Sequence, residues 1–189
     1  MAAGALTELY SEVLAQICLA YSIKKGKALT KDVLCHGNSL NPTVLRDVKR
    51  LMIAQRSVNF SNSNFTTGFV DYIKGNVSGK LNWVDAQGRN MMKVKQHFKI
   101  GGDCIVYNDK LFGSSPSDNN PYTAFLKAKT GAKPDKWNPA DIWVMNRDGR
   151  TAMKRLNRRV QSRSKISLEY CNQFLAKQFS ERNIIPISL

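Results

Sequence analysis

The residue whose type and position best suit chemistry is Asp141, which stands at the start of a short apolar run. Pro139 holds its own φ and disfavours helix at Asn138, so the chain is predicted to arrive there extended. Residues Ile142–Met145 are of β-forming types and predict a strand covered on both faces. A carboxylate at the mouth of such a strand combines a rigid backbone with access to water, which suits a metal ion or a catalytic acid. The alternative interpretation is an aspartate that caps a turn.

Two glutamates near the N-terminus are further candidates for catalytic or metal-binding acids. The spacing of apolar residues predicts a helix over residues 5–22, and Glu8 and Glu12 share one face of it because they are four positions apart. If that face turned toward Asp141, the carboxylates would be able to share a divalent cation. The alternative is a solvated acidic edge, which the positive end of the helix dipole stabilises.

Basic residues give the chain its strongest global property. The 189 residues include 29 lysines and arginines against 14 aspartates and glutamates, a net charge of +15. Such an excess indicates a polyanionic partner, with nucleic acid expected before a membrane surface. One dense segment is predicted to bind phosphates, for which the planar fork of arginine is well suited; its basic residues are Arg147, Arg150, Lys154, Arg155, Arg158, Arg159, Arg163 and Lys165. The alternative is a solvated basic loop or helix.

The cysteines and histidines exclude a zinc site of common spacing. Four cysteines are scattered without a CxxC pair, and the chain has two histidines. The cysteines are therefore predicted to be small buried residues in a reducing compartment. The first residues lack the basic segment of a signal peptide, and no apolar run reaches membrane-spanning length, so we expect neither secretion nor a membrane partner.

Hydrophobic periodicity and turn-forming residues predict a single domain over residues 1–189 with a mixed α+β architecture. A small central mixed sheet is expected, flanked by helices. The predicted helices cover residues 5–22, 42–55, 68–74, 90–98, 122–129 and 167–182, and the predicted strands cover residues 81–84, 104–107, 142–145 and 184–189. In the last helix the predicted buried stripe is Leu168, Cys171, Phe174, Leu175 and Phe179.

The order of these elements and the Pro139-Ala140-Asp141 string resemble the core of the PD-(D/E)XK, or restriction-endonuclease-like, nuclease superfamily. The resemblance implies that Asp141 is the motif aspartate and that Glu8 or Glu12 is the helix acid. Ser188 would then occupy the place of the second acid on the following strand, within Ile187-Ser188-Leu189. It also implies a divalent cation, Mg²⁺, bound by Asp141 and Glu12.

The sequence departs from that family at two places that catalysis needs. Ser188 stands where a second carboxylate is expected, and a hydroxyl is a poor substitute for a carboxylate on Mg²⁺. The sequence also ends at Leu189, one position before the expected lysine. A nuclease-like scaffold without catalytic activity is therefore the expectation.

The strings Trp-Asn-Pro-Ala-Asp-Ile-Trp and Ile-Ser-Leu also resemble small proteins of tailed bacteriophages, virion components among them. The resemblance implies a place in the host-cell cytoplasm or in a virion, with other virion subunits as partners besides nucleic acid. Two hypotheses follow. The first is a basic nucleic-acid-associated protein, with DNA expected rather than RNA, that serves in structure or assembly. The second is an Mg²⁺-dependent endonuclease or exonuclease, and the question of enzymatic activity stays open at this point.

Overall fold

A computed structural model describes residues 3–52, 62–75, 83–108, 140–162 and 166–189. Helices and small sheets occur together in it, which confirms the predicted mixed α+β class. The chain forms two compact units, Met1–Val106 and Tyr107–Leu189. The predicted helix over residues 122–129 lies outside the described residues. None of the described helices is both long enough and apolar enough to cross a membrane.

The N-terminal unit is built around its first helix. Its elements are α1 (Ala3–Lys25), α2 (Lys31–Leu34), β1 (Cys35–His36), β2 (Ser39–Leu40), α3 (Pro42–Lys49), α4 (Ser63–Gly75) and α5 (Trp83–His97). Helix α1 packs against α3, α4 and α5, and every residue from 12 to 23 is buried. A helix that is covered on all sides in this way is a core helix rather than an amphipathic surface helix.

Two close contacts hold the helices of this unit together. Gly88 of α5 lies so near the chain at Leu29 that a Cβ there would be 2.0 Å from the Leu29 carbonyl oxygen. Lys25, at the end of α1, forms an ion pair with Asp47 of α3. The hydrogen bond from Lys25, together with the basic charges nearby, lowers the pKa of the Asp47 carboxyl.

Several predicted boundaries in the N-terminal unit are wrong. Helix α3 begins as predicted, with Asn41 accepting hydrogen bonds from the Thr43 and Val44 amides, but it ends at Lys49. The chain then turns, and Met52 pairs in parallel with Val106. The predicted strand over residues 81–84 is contradicted at residues 83 and 84, which form the first turn of α5. Helix α4 is longer than the predicted 68–74 segment.

The described part of the C-terminal unit combines a small sheet with two helices. Strand β3 (Ile105–Asn108) begins before the division between the units, and it is followed by β4 (Ile142–Met145), α6 (Arg147–Ser162), α7 (Leu168–Ser180) and β5 (Ile184–Ile187). The sheet order is β3-β4-β5. Strands β4 and β5 are antiparallel, with Ile142 opposite Ile187 and Met145 opposite Ile184. The prediction of β4 is confirmed, and this strand is buried along its whole length. Helix α7 and strand β5 form where they are predicted, but β5 ends at Ile187 and Phe179 of the predicted buried stripe is 43% exposed.

A compact polar junction connects the sheet to α6. The side-chain oxygen of Asn146 accepts a hydrogen bond from the Gly149 amide at 2.8 Å, which caps the first turn of the helix. Gly149 is buried, and a Cβ at this position would lie 2.1 Å from the carbonyl oxygen of Asn183. Only glycine therefore allows the start of α6 to lie directly against the backbone between α7 and β5.

Candidate nucleic-acid interface

The basic segment after β4 forms an amphipathic helix, α6, with its apolar stripe turned inward. Gly149, Met153 and Leu156 follow the spacing i, i+4, i+7, and all three are buried. The opposite side is open to solvent. Its exposed basic residues are Arg147, Lys154, Arg155, Arg158 and Arg159.

Helical geometry sorts these exposed cations into two rows. Arg147, Lys154 and Arg158 are related by seven and four positions, so they align along one line of the helix surface. We call these three residues the basic row. Arg155 and Arg159 are four positions apart and form a second line, rotated by roughly a quarter turn at about 100° per residue. This second line faces α7.

Arg150 differs from the other basic residues of the helix. It is half-buried, and its Nη1 donates a hydrogen bond to the Met145 carbonyl oxygen at 3.0 Å. Its charge also acts on Tyr107, whose pKa burial raises to about 12 against the opposing effect of Arg150. Arg150 thus anchors α6 to the sheet. Arg163 and Lys165, the last two residues of the predicted phosphate-binding set, lie outside the described residues.

A groove of about 410 Å³ lies between α6 and α7. Arg155 and Arg159 line it from α6, and Tyr170, Phe174 and Lys177 line it from α7. None of its lining residues is acidic. Cationic and aromatic side chains therefore converge on one open concave surface within the C-terminal unit.

One contact, between Arg159 of α6 and Tyr170 of α7, joins the two walls of the groove. Arg159 Nη1 donates a hydrogen bond to the Tyr170 hydroxyl at 2.7 Å, and the guanidinium carbon lies 4.6 Å from the centre of the Tyr170 ring. A guanidinium at this distance from an aromatic ring is within the range of a cation–π interaction. Ser167 caps the start of α7 by accepting a hydrogen bond from the Tyr170 amide, which fixes the position of this residue.

Polar contacts of α7 also support the groove. Gln178 is buried and donates to the Glu181 carboxylate at 3.3 Å, while Asn183 donates to the Gln178 side-chain oxygen at 3.3 Å. Lys177 is largely exposed and lies 3.9 Å from Glu181. Since such an exposed pair contributes little to stability, Lys177 can turn toward an anion in the groove at small cost.

Asp141, the predicted central acid, binds the residues that follow β5. Its Oδ2 accepts a hydrogen bond from the Leu189 amide at 2.8 Å and one from the Ser188 hydroxyl at 3.4 Å. Its own amide donates to the Ile187 carbonyl at 3.0 Å. The antiparallel pairing of β4 and β5 thus brings together Asp141 and Ser188. Ala140 is buried, whereas Asn138 and Pro139 of the predicted turn lie outside the described residues.

The other two predicted acids belong to the N-terminal unit. Glu8 is exposed, while Glu12 is only 4% exposed, so the interpretation as a solvated acidic edge is wrong for Glu12. Both follow the first turn of α1, which begins at Ala3. A cation shared between either glutamate and Asp141 stays a prediction. Within the described parts of the chain, no group of three or more histidine, cysteine, aspartate or glutamate side chains is placed to hold a metal ion.

Sequence analysis missed the α7 side of the groove. Phe174 was predicted to be buried, yet it is half-buried and lines the groove, and Tyr170 and Lys177 were not predicted as binding residues. Their spacing of four and three positions places all three on one stripe of α7. That stripe is a signal in the sequence, but it has meaning only when α6 is known to face it.

No protein-family model, no curated protein and no solved structure gives a significant match to this chain. The resemblance to PD-(D/E)XK nucleases and to bacteriophage proteins therefore rests on the quoted motif residues alone and stays a prediction.

Proposed function

We propose that this chain is a nucleic-acid-binding protein that acts without catalysis and contacts the phosphate backbone through α6. The observation that best supports the proposal is the basic row, Arg147, Lys154 and Arg158, exposed on one line of a helix that is held firmly on its other side. The row extends over 11 residues, or about 17 Å at about 1.5 Å per residue. One strand of a DNA duplex carries about five phosphates over that length.

The charge arrangement on α6 also favours an anionic ligand. Lys154 and Arg158 are one helical turn apart, and like charges at this spacing destabilise a helix by about 0.2–0.5 kcal/mol. Asp148 is the last acidic residue of α6, so the helix supplies no acidic partner of its own to these two. Phosphates bound along the row would relieve this repulsion, and binding of this kind tolerates many sequences and weakens with salt.

The surroundings of Asp141 support the non-catalytic part of the proposal. Its Oδ2 already accepts hydrogen bonds from the chain after β5, and its neighbour there, Ser188, is a serine rather than a second carboxylate. Hydrolysis assisted by a metal needs ligands that hold the ion and a group that activates water. The resemblance to virion proteins adds a setting to the proposal, in which the basic surface faces packaged DNA or acidic neighbouring subunits.

The test is a binding titration followed by fluorescence anisotropy, with a labelled DNA duplex of about 30 base pairs at salt concentrations from about 50 to 200 mM. The variant Arg147→Gln/Lys154→Gln/Arg158→Gln removes the basic row. A matched control, Lys27→Gln/Lys49→Gln/Arg50→Gln, removes three exposed charges from the N-terminal unit. We expect the first variant to lose at least tenfold in affinity and the control to lose much less.

Three results would contradict the proposal or part of it. Equal losses in both variants would mean that overall charge, not α6, attracts DNA, and an absence of binding at the lowest salt would remove nucleic acid as the partner. Cleavage of the same DNA in Mg²⁺ or Mn²⁺, absent in EDTA, would contradict the non-catalytic part.

A further inference from the structure

We propose that the groove between α6 and α7 is a stacking site for unpaired bases, so that the protein binds single-stranded DNA in preference to duplex. This inference rests on the proposed function and names the class of nucleic acid that the same surface selects. The evidence for it is the set of side chains that line the groove rather than those of the basic row.

The groove offers flat, partly exposed aromatic surface. Tyr170 and Phe174 are half-buried and lie one turn apart on α7, so both rings keep part of their surface open to the groove. Arg159 adds a guanidinium group beside these rings, its central carbon 4.6 Å from the centre of the Tyr170 ring. Aromatic rings and arginine planes of this kind are the usual platforms on which unpaired bases stack, because every base has a π face.

The charges around the groove are placed for the backbone of such a strand. Arg155 on the α6 wall and Lys177 on the α7 wall are both exposed cations, and no acidic residue lines the groove. The basic row lies on the adjacent surface of α6. A strand can therefore run along α6 with its phosphates on the basic residues while one base enters the groove.

The size of the groove suits a single unpaired base. A volume of about 410 Å³ falls in the range of about 300–1,000 Å³ that small-molecule sites occupy, which suits a base with its sugar. In a duplex the faces of the bases are covered by their neighbours, and only their edges are open in the grooves. A duplex can contact the basic row, but its internal base pairs cannot place a base face on Tyr170 or Phe174.

The test compares a single-stranded thymidine oligonucleotide with a duplex of equal length for the wild-type protein and three variants. Tyr170→Leu and Phe174→Leu each remove one ring but keep apolar bulk. Phe179→Leu is the matched control, because Phe179 is 43% exposed on the same helix and does not line the groove. One stacked base corresponds to about a 5- to 150-fold change in affinity.

We expect the wild type to bind the single strand at least tenfold more tightly than the duplex. Tyr170→Leu and Phe174→Leu should abolish that preference while duplex affinity and the salt dependence stay unchanged, and Phe179→Leu should change neither. A strand carrying 2-aminopurine should lose fluorescence on binding to the wild type, because a stacked base is quenched, and should keep its fluorescence with Tyr170→Leu. Phe174→Leu keeps the Arg159–Tyr170 contact and supplies the test if Tyr170→Leu does not fold.

Equal affinity for the single strand and the duplex, or equal losses for both in the ring variants, would overturn this inference and leave the proposed function intact. Competition by free thymidine monophosphate as strongly as by the oligonucleotide would make the groove a mononucleotide site and would also overturn it. A protein that binds neither form of DNA would contradict the proposed function itself.

Discussion

Asn146 and Asn183 join the two ends of the segment that carries the basic helix. The Asn146 side-chain amide donates to the Asn183 side-chain oxygen at 3.0 Å, and the Asn146 backbone amide donates to the Asn183 carbonyl at 3.2 Å. The start of α6 is thereby fixed to the turn that follows α7. Gly149 completes the junction, because only its missing side chain lets the helix approach this carbonyl.

Replacing Gly149 with alanine is expected to destabilise the protein. The new Cβ would lie 2.1 Å from a backbone oxygen that cannot rotate away, so the strand or the helix must shift. The steric cost of about 1–3 kcal/mol is offset in part by a gain in helix propensity of about 1 kcal/mol, so we expect the free energy of unfolding to fall by up to about 2 kcal/mol. Urea unfolding followed by circular dichroism measures this change in the free energy of unfolding.

The control for this substitution is Gly102→Ala. Nothing lies within 4 Å of a Cβ at Gly102, so we expect a change within about 0.5 kcal/mol. If Gly149→Ala were as stable as the wild type, the close packing at the start of α6 would be refuted.

Asp141→Ala is expected to weaken the end of the sheet without affecting DNA affinity. It removes the acceptor of the Leu189 and Ser188 hydrogen bonds. Because the site is partly exposed, water replaces these partners in part, and we expect a loss of about 1 kcal/mol. Asp141→Asn, whose side-chain oxygen still accepts one bond, should lose less. Metal-dependent DNA cleavage that Asp141→Asn abolished would instead make this residue a catalytic acid.

Neutralising the basic row should change the salt dependence of DNA binding by a definite amount. Each phosphate contact contributes about −0.9 to the slope of log affinity against log salt on duplex DNA. The variant Arg147→Gln/Lys154→Gln/Arg158→Gln should therefore have a slope less steep by about 2 to 3. Anisotropy titrations at four or more salt concentrations give both slopes. An unchanged slope would show that these three residues do not contact phosphates.

The stability of the fold is expected to fall in alkaline solution. Burial raises the pKa of the Cys171 thiol from 9.0 to about 11 and that of Tyr107 from 10.0 to about 12. Both groups are acids whose folded pKa lies above the unfolded value. Their contribution to the free energy of unfolding is therefore complete below the unfolded pKa and is lost as the pH rises toward the folded pKa. For Cys171 this loss begins at about pH 9. Urea midpoints between about pH 8 and 11 should decrease.

Cys171→Ala tests the source of that decrease. The substitution removes the titrating group, so the change in stability with pH between about 9 and 11 should become smaller, whatever the substitution costs in packing. An identical pH profile in wild type and variant would exclude Cys171 as a contributor.

Local sequence patterns predict the helices and strands correctly where neighbouring residues decide the structure. Ile142–Met145 is short, apolar and β-forming, and it is a buried strand as expected. The strand predicted over residues 81–84 is wrong at Trp83, where a helix begins. An apolar pair beside polar residues suits the start of a strand or of a helix, so the local pattern does not distinguish them. Contacts distant in sequence favour the helix: Asp85 accepts a hydrogen bond from the Lys31 amide, and Gly88 permits close packing against Leu29.

The candidate site was predictable in its charge but not in its geometry. The density of arginine was visible in the sequence, yet the inward orientation of Arg150 depends on the position of the Met145 carbonyl. Tyr170 and Phe174 line a groove only because α6 faces them, and the binding role proposed for them depends on that arrangement. Contacts between elements decide these features, and a local pattern carries no information about such contacts.

Two hydrogen bonds hold the helices that form the groove, one from Asn146, just before α6, to Asn183, just after α7, and one from Arg159 to Tyr170. The walls of the groove are therefore preorganised, and they lose little conformational entropy when a ligand enters. In the proposed complex, most of the ordering cost then falls on the flexible strand. We expect an association rate set by diffusion and electrostatic attraction, with differences in affinity between variants appearing mainly in the rate of release.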